Sequence, residues 1–347
     1  MRLDSDGDVL LAGPALRQLK ADVDVLHLLV SPGGAAAAAL LPGVDDLLVA
    51  DVPWMREAAG PQDPLVLDEL LARLRCEQYD EVVVLTSYHQ SPLPMALLAK
   101  WAGVPTVVAM SDAFPGALLD VRHRRMPHGD DPGSGGGHEV EAMQALVAAA
   151  GHPRTGDARL AVTHPGPPSG LGSRYVVVHP TASVPSRGIG VERATSYAEG
   201  LAGDGWRVVV TGGPADRAVG RAVTPPGGVD LTGRTTLREL AGVLSGAVAV
   251  VVGNTGPAHL AAAVGTPVVS LFAPVVPLER WRPWGVPSVV LGDQLAGCAL
   301  TRARHCPVPG HPCTDVPAHD VVAAVHALAG SPAATRRGQP VAAGGAS

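Results

Sequence analysis

The residues best suited to chemistry fall in two short stretches. In Gly253-Asn254-Thr255-Gly256-Pro257-Ala258-His259 a glycine-containing turn stands directly ahead of an Ala-rich run. Pro257 suits the first helical position, where its missing N–H would have no partner, and Thr255 or Gly256 would then cap. Free amides at such a helix start, backed by the positive end of the helix dipole, cradle phosphate. Thr255 and His259 are four apart and so share a helix face. An ordinary turn with a core histidine is the competing reading of the same spacing. The second stretch is Gly7-Asp8-Val9-Leu10-Leu11. Asp8 falls where a strand passes into a helix, at the carboxyl end of the sheet where open α/β folds hold their ligands. A carboxylate there suits a general base, and it equally suits a helix cap, because the dipole favours negative charge in a first turn.

Further polar groups gather at other turns. Ser87, His89 and Gln90 lie in a turn, Ser87 to Ser91, where hydroxyl, imidazole and amide would meet either sugar hydroxyls or water. Asp120 to Arg125 carries Arg122, Arg124 and Arg125 beside a Gly/Asp/Pro/Ser tract from Pro127 to Gly137, expected to be mobile. Those arginines would hold an anionic acceptor or simply be solvated. Cys298, Cys306 and Cys313 share one segment with His305 and His311, but their spacing matches no C-x-x-C pattern, so free thiols are expected and no metal.

The elements that must position these groups read as repeated βαβ units. Leu240 to Leu278 runs 39 residues without an Asp, Glu, Lys or Arg. Its internal Gly and Pro residues rule out a membrane helix and fit a buried strand, turn, helix and second strand: Ala247 to Val252, Ala258 to Val264 and Val268 to Phe272. Strands apolar on both faces belong to parallel sheets covered by helices. Upstream, the alternation predicts a clipped first strand at Met1, then a helix through Pro14 to Leu19. Strands follow at Val23 to Val30, Val44 to Val49, Glu81 to Thr86 and Thr106 to Met110, with helices at Pro64 to Arg75 and Leu93 to Trp101. The first strand is too short for such a domain, which suggests a missing strand ahead of Met1. After a Gly/Pro-rich stretch from Gly151 to Ser173 the pattern restarts, with strands at Tyr175 to Val178 and Arg207 to Thr211 and helices at Glu192 to Ala202, Leu237 to Leu244 and Ala318 to Leu328. The expected organisation is an α/β chain of two domains, 1–160 and 161–330, followed by a disordered tail, 331–347, with a ligand cleft between the domains.

Composition limits the partners. The 347 residues carry a net charge of −6 and only 17% are charged, so no basic stripe points to nucleic acid and no polybasic patch to a membrane. Neither a signal peptide nor an integral membrane segment is visible, which makes the cytoplasm the expected location.

The stretch Gly253 to Pro267, followed by a strand and Ala273-Pro274, resembles the donor-site signature of the family 9 glycosyltransferases, the heptosyltransferase family. Gly7-Asp8-Val9-Leu10-Leu11 is similar to that family's N-terminal Gly-Asp motif, and His179-Pro180-Thr181-Ala182-Ser183 to the loop opening its second domain. Thr211-Gly212-Gly213-Pro214 and Leu231 to Leu237 also resemble family segments, as do Ser87 to Pro94 and His138-Glu139-Val140-Glu141 on the acceptor side. The resemblance implies a GT-B fold of two Rossmann-like domains with mainly parallel sheets, and inverting transfer of a sugar, heptose or similar, from an ADP-linked donor to a glycan or small-molecule hydroxyl. By the match, Asp8 would be the general base. The donor would be held by Thr181, Ser183, Arg187, Gly212, Gly213, Leu237, Asn254, Thr255, Gly256 and His259, and the acceptor by Ser87, His89, Gln90, Arg122, Arg124 and His138. Arg187 would supply the cation that a metal provides elsewhere; no Asp-x-Asp motif stands at a donor turn, and no metal or other cofactor is implied. Asn254 stands where many relatives carry Asp, which leaves neutral hydrogen bonding to the donor sugar.

Two other classes compete. A nucleotide-sugar-binding protein without catalysis would bind donor and release no nucleotide. A dinucleotide-dependent oxidoreductase would need a Gly-x-Gly-x-x-Gly after its first strand with an acidic residue downstream, and none is present.

Overall fold

The structure is a computed structural model and describes residues 1–55, 63–87, 90–125, 137–154 and 156–330. It divides into two compact units: residues 1–163 with Glu279–Trp281, and residues 164–278 with 282 onward. The 331–347 tail, His89 and most of the Pro127 to Gly137 tract lie outside the described residues.

In the first unit the chain runs α1 (Asp6–Lys20), β1 (His27–Val30), α2 (Ala35–Ala38), β2 (Asp46–Val49), α3 (Pro64–Glu77), β3 (Glu81–Val84), α4 (Leu93–Ala102), β4 (Thr106–Met110), β5 (Val121–His123) and α5 (Glu139–Ala149). All pairings are parallel, in two groups: β1 with β2, and β3-β4-β5. Sequence signals explain the helix limits. Asp63 caps α3 by accepting from the Leu65 N–H at 3.0 Å, and Gly103, at φ 91°, ends α4 in a left-handed conformation that an L side chain resists. Helix α1 starts well ahead of the expected Pro14, which lies inside it, so Asp8 belongs to a first helical turn rather than to a loop. Strand β1 starts at His27 rather than Val23. Strand β5 is not among the strands read from the sequence: Val121-Arg122-His123 has no apolar alternation and owes its extended form to pairing with β4.

The second unit comprises β6 (Tyr175–His179), α6 (Val191–Gly203), β7 (Arg207–Val210), α7 (Arg217–Val223), β8 (Val229–Asp230), α8 (Leu237–Ser245), β9 (Ala249–Gly253), α9 (Gly256–Ala263), β10 (Val268–Leu271), α10 (Leu278–Trp281), β11 (Ser288–Leu291) and α11 (Ala318–Ala329); the last three residues of α10 cluster with the first unit. Its sheet is wholly parallel, in the order β11-β10-β9-β6-β7-β8. Every residue of β6, β9 and β10 is buried, as the uninterrupted Val runs require of strands covered on both faces. Tyr197 and Leu201 of α6 and Val321 and Val325 of α11 pack with Val176, Val208 and Val251 in the main core cluster of this unit. Thr236 and Glu239 form a reciprocal capping box at the start of α8. No described helix is long and apolar enough to cross a membrane.

One glycine in this sheet is fixed by close approach. A Cβ on Gly253, the last residue of β9, would lie 1.9 Å from the Arg187 carbonyl oxygen. Gly253→Ala must push the two backbones apart, and we expect it to destabilise the protein by about 3 kcal/mol, lowering Tm by ~6 °C or more in a thermal melt.

Candidate active site

In the first unit the site grows from a buried cation. Arg2 has no exposed side-chain surface, and three of its contacts converge on it: Nε lies 2.9 Å from Asp4 Oδ2, and Nη2 lies 3.1 Å from Asp8 Oδ1 and 3.0 Å from Ser87 Oγ. Burial opposes the charge of Arg2, but Asp4 and Asp8 outweigh it and its pKa is raised, so the guanidinium stays protonated. Asp4 also accepts from Gln90 Nε2, and burial pushes its pKa up to about 6 against the pull of Arg2.

Asp8 differs from Asp4 in exposure, its side chain being 24% accessible. Oδ1 accepts from Arg2 and from Trp281 Nε1, at 3.3 Å. Oδ2 meets the Ser5 hydroxyl at 3.5 Å, the contact this oxygen makes among the described residues. One oxygen of Asp8 is thus held by two donors, and the other by a single long contact. Next to it, buried Glu139 is neutralised by Arg125 at 2.6 Å and Arg280 at 3.3 Å.

The acceptor-side residues named from sequence take several places. Ser87 and Gln90 belong to the carboxylate cluster, and the Ser87 N–H donates to Gln90 Oε1 at 3.0 Å, so both support Asp4 and Asp8. The Arg122 guanidinium donates to the carbonyls of Ser111, Asp112 and Ala113 and pins that loop. Arg124 is exposed. His138 caps α5, its Nδ1 accepting from the Val140 N–H at 3.2 Å. His89 lies outside the described residues.

In the second unit the strand order marks a candidate site. From β6 the chain moves to β7 and β8 on one side, then returns to β9 on the other, so the order switches between β6 and β9. Ligands of open parallel sheets bind at such a switch, outside the carboxyl ends of the strands. The turns at those ends are His179 to Ser183 after β6 and Gly253 to Gly256 after β9. The Arg187 backbone abuts the second turn through its contact with Gly253. Thr255 is the N-cap of α9, but its hydroxyl makes no capping bond; Gly256 is the first helical residue, so Pro257 is the second rather than the expected first. His259 is buried on the same helix.

Asp216, which no sequence reading singled out, ties the neighbouring turns together. Its Oδ2 accepts from Thr181 Oγ1 and from the Gly213 N–H, both at 2.9 Å. The Gly212-Gly213 turn therefore already holds an anion of its own. Asn254 is buried and clamps the Ala273 backbone, donating to its carbonyl at 3.2 Å and accepting from its N–H at 3.1 Å. An aspartate there would face the Ala273 carbonyl with no donor, which gives Asn254 a structural reason. Ser183 is exposed, while Arg187 and Leu237, the first residue of α8, are half-buried. Cys298 and Cys313 are buried free thiols, with burial pushing Cys313 up to about 12; no metal-holding group of three acidic, His or Cys residues occurs among the described residues.

Residues 68–311 match the profile of glycosyltransferase family 9 (heptosyltransferase). The chain belongs to this family. Among curated proteins it is similar to lipopolysaccharide heptosyltransferase 3 of Escherichia coli, 31% identical over 122 residues, which is 33% of this chain and 36% of that protein. The K12 strain protein of that name is 33% identical over 123 residues, 33% of this chain and 35% of the relative. The match thus spans about a third of these relatives' length. Among solved structures, a family 9 glycosyl transferase from Veillonella parvula DSM 2008 superposes with a TM-score of 0.73 at 18% identity, covering 94% of this chain and 95% of that one. E. coli ADP-heptose lps heptosyltransferase II gives 0.68 at 18% (94% and 97% covered), and E. coli heptosyltransferase WaaC with ADP-2-deoxy-2-fluoro heptose 0.67 at 19% (94% and 99%). These likenesses establish the GT-B fold.

The turn after β6 carries a titration of its own. His179 donates to or accepts from Thr211 Oγ1 at 3.0 Å, and burial pushes its pKa down to about 4 from the ordinary 6.5, with Asp216 opposing. The unfolded chain then binds the proton first, so stability is complete above about pH 6.5 and is lost as pH falls toward 4. Urea unfolding should show about 3 kcal/mol of this dependence, and His179→Gln should remove it.

Proposed function

We propose that the protein is an inverting glycosyltransferase acting in the cytoplasm, which moves a heptose-class sugar from an ADP-linked donor to a hydroxyl of a glycan or small metabolite. The observation that carries this reading is Asp8, anchored through Oδ1 by Arg2 and Trp281 with Oδ2 turned to less crowded surroundings. Family membership and the ADP-heptose named for the solved relatives support the donor class. Asp8 Oδ2 takes the proton of the acceptor hydroxyl as its oxygen attacks the anomeric carbon, and the nucleotide diphosphate departs from the opposite face.

The second unit would hold that nucleotide. The amide of Gly256 and the dipole of α9 favour the diphosphate, with Thr255 and His259 on the same helix face. Arg187 would add positive charge as negative charge develops on the leaving group. Thr181, Ser183, Gly212, Gly213, Leu237 and Asn254 would shape the donor pocket, Asn254 by fixing Ala273. On the acceptor side Ser87 and Gln90 would work through the carboxylates they hold, with Arg122, Arg124 and His138 as further candidates, and His89 as one that lies outside the described residues.

Asp8→Asn tests the reading. It should lower kcat with ADP-heptose and a hydroxyl acceptor by about 10²–10⁴-fold, while the affinity for ADP, followed by calorimetry, stays unchanged. Full activity in the variant would refute Asp8 as base, and donor binding without nucleotide release in the unaltered protein would favour a binding protein instead.

A further inference from the structure

Between β11 and α11 the second unit carries a mostly irregular segment, residues 292–317, that holds Cys298, Cys306 and Cys313. The Cys298 thiol is within hydrogen-bonding reach of both other thiols. Cys313 Sγ in turn lies 3.7 Å from His311 Nδ1. The segment folds back on itself to bring them together: the Cys313 carbonyl accepts from the Asp293 N–H at 2.8 Å, and Arg193 of α6 donates to the Gly310 carbonyl at 2.7 Å.

Access separates the three thiols. Cys298 and Cys313 are buried, and burial pushes the pKa of both up, so they stay protonated. Cys306 is half-buried and is the one of the three that a small solute can reach. An accessible thiol touching a buried one is the arrangement in which a first oxidation is resolved inside the protein. Contact supplies the local concentration that a protonated thiol needs in order to compete as a nucleophile.

The loop between Cys298 and Cys306 bears on the turns at the carboxyl end of the sheet. The N–H groups of Leu300 and Arg302 donate to the carbonyls of Pro274 and Val275, both at 2.8 Å, just after β10. The Ala303 carbonyl accepts from the Ser186 hydroxyl at 2.5 Å, and the Arg304 carbonyl from the Ser186 N–H at 2.9 Å, so the loop holds the backbone beside Arg187. Leu300 and Arg302 stand at φ 60° and 56°, a left-handed backbone that L side chains resist. These contacts, rather than the loop's own preference, therefore fix its shape.

We propose that Cys298 and Cys306 form a redox centre that hydrogen peroxide closes to a disulfide, shifting the loop and loosening its hold on Ser186. One peroxide oxygen passes to the Cys306 sulfur, giving a sulfenic acid, and the other leaves as water. The Cys298 sulfur then attacks the sulfenic sulfur; the S–S bond forms as the S–O bond breaks, and the departing hydroxyl takes the Cys298 proton as a second water. The two thiols are oxidised to one disulfide, and the peroxide is reduced to water. Closure draws the sulfurs inside hydrogen-bond contact, and because Pro274 and Val275 restrain Leu300 and Arg302, the movement falls on Ala303 and Arg304. A dithiol reductant reverses the step, as for the transient disulfides of reducing compartments. The centre is independent of the sugar-transfer reading.

The full chain, treated with hydrogen peroxide at neutral pH and quenched with iodoacetamide, tests the proposal by peptide mass spectrometry and amide hydrogen exchange. The expected result is a peptide pair joined through Cys298 and Cys306, separable by dithiothreitol, with exchange at the Ser186 amide ~10-fold or more faster than in the reduced chain. Cys306→Ser, a change at the half-buried position, should leave Cys298 a free thiol and make Ser186 exchange insensitive to peroxide. Cys298→Ala should instead let Cys306 run on to the sulfinic acid. A Cys306 that stays a thiol or becomes a sulfinic acid in the unaltered chain would overturn the proposal, as would a disulfide that leaves Ser186 exchange unchanged.

Discussion

A guanidinium with no exposed surface, Arg2, sets the terms for the first unit. Removing it from water carries a penalty of several kcal/mol, offset only when opposite charge and hydrogen bonds surround it. Asp4, Asp8 and Ser87 provide that surrounding, from the chain entry, the first turn of α1 and the segment after β3. Each of those elements is therefore anchored to the same charge. The catalytic candidate is thus positioned by electrostatic necessity rather than by its own helix, because Ser5 offers α1 no side-chain cap.

The second unit positions its site by other means. Its turns stand at the carboxyl ends of strands fixed by Val-rich packing, and their order switches at β6 and β9. Short polar clamps then set the turns themselves: Asp216 holds Thr181 and Gly213, and Asn254 holds Ala273. Because Asp216 already satisfies the Gly213 amide, negative charge near the β7 turn would meet a carboxylate. The start of α9 has no acidic residue in its first turn, so under the proposed function it would be the more favourable place for a diphosphate.

The sequence made the second unit readable because its strands are buried on both faces and leave continuous apolar runs punctuated by Gly and Pro. Helix α8, with Thr236 and Glu239 in a capping box, and the turn before α9 were legible for the same local reasons. Less was legible where structure depends on distant partners. Strand β5 is polar and exists through β4, and α7 follows a turn whose Asp216 reaches Thr181 on another loop. Asp8 could be singled out from its motif, but Arg2 and Trp281 could not be assigned to it, since Trp281 lies 273 positions away. Ser87 and Gln90 were legible as polar turn residues; that they face inward to Arg2 and Asp4 is a tertiary fact.

Two carboxylates share Arg2, and the geometry separates their roles. Asp4 is 7% accessible, takes Arg2 and Gln90, and is pushed up to about 6 by burial. A group so enclosed has no path for an acceptor hydroxyl, and its partners already occupy both oxygens. Asp8 contacts the same guanidinium through one oxygen only and is 24% accessible. Burial thus makes Asp4 a support for the cation, while Asp8, touching the same guanidinium, keeps a face toward solvent.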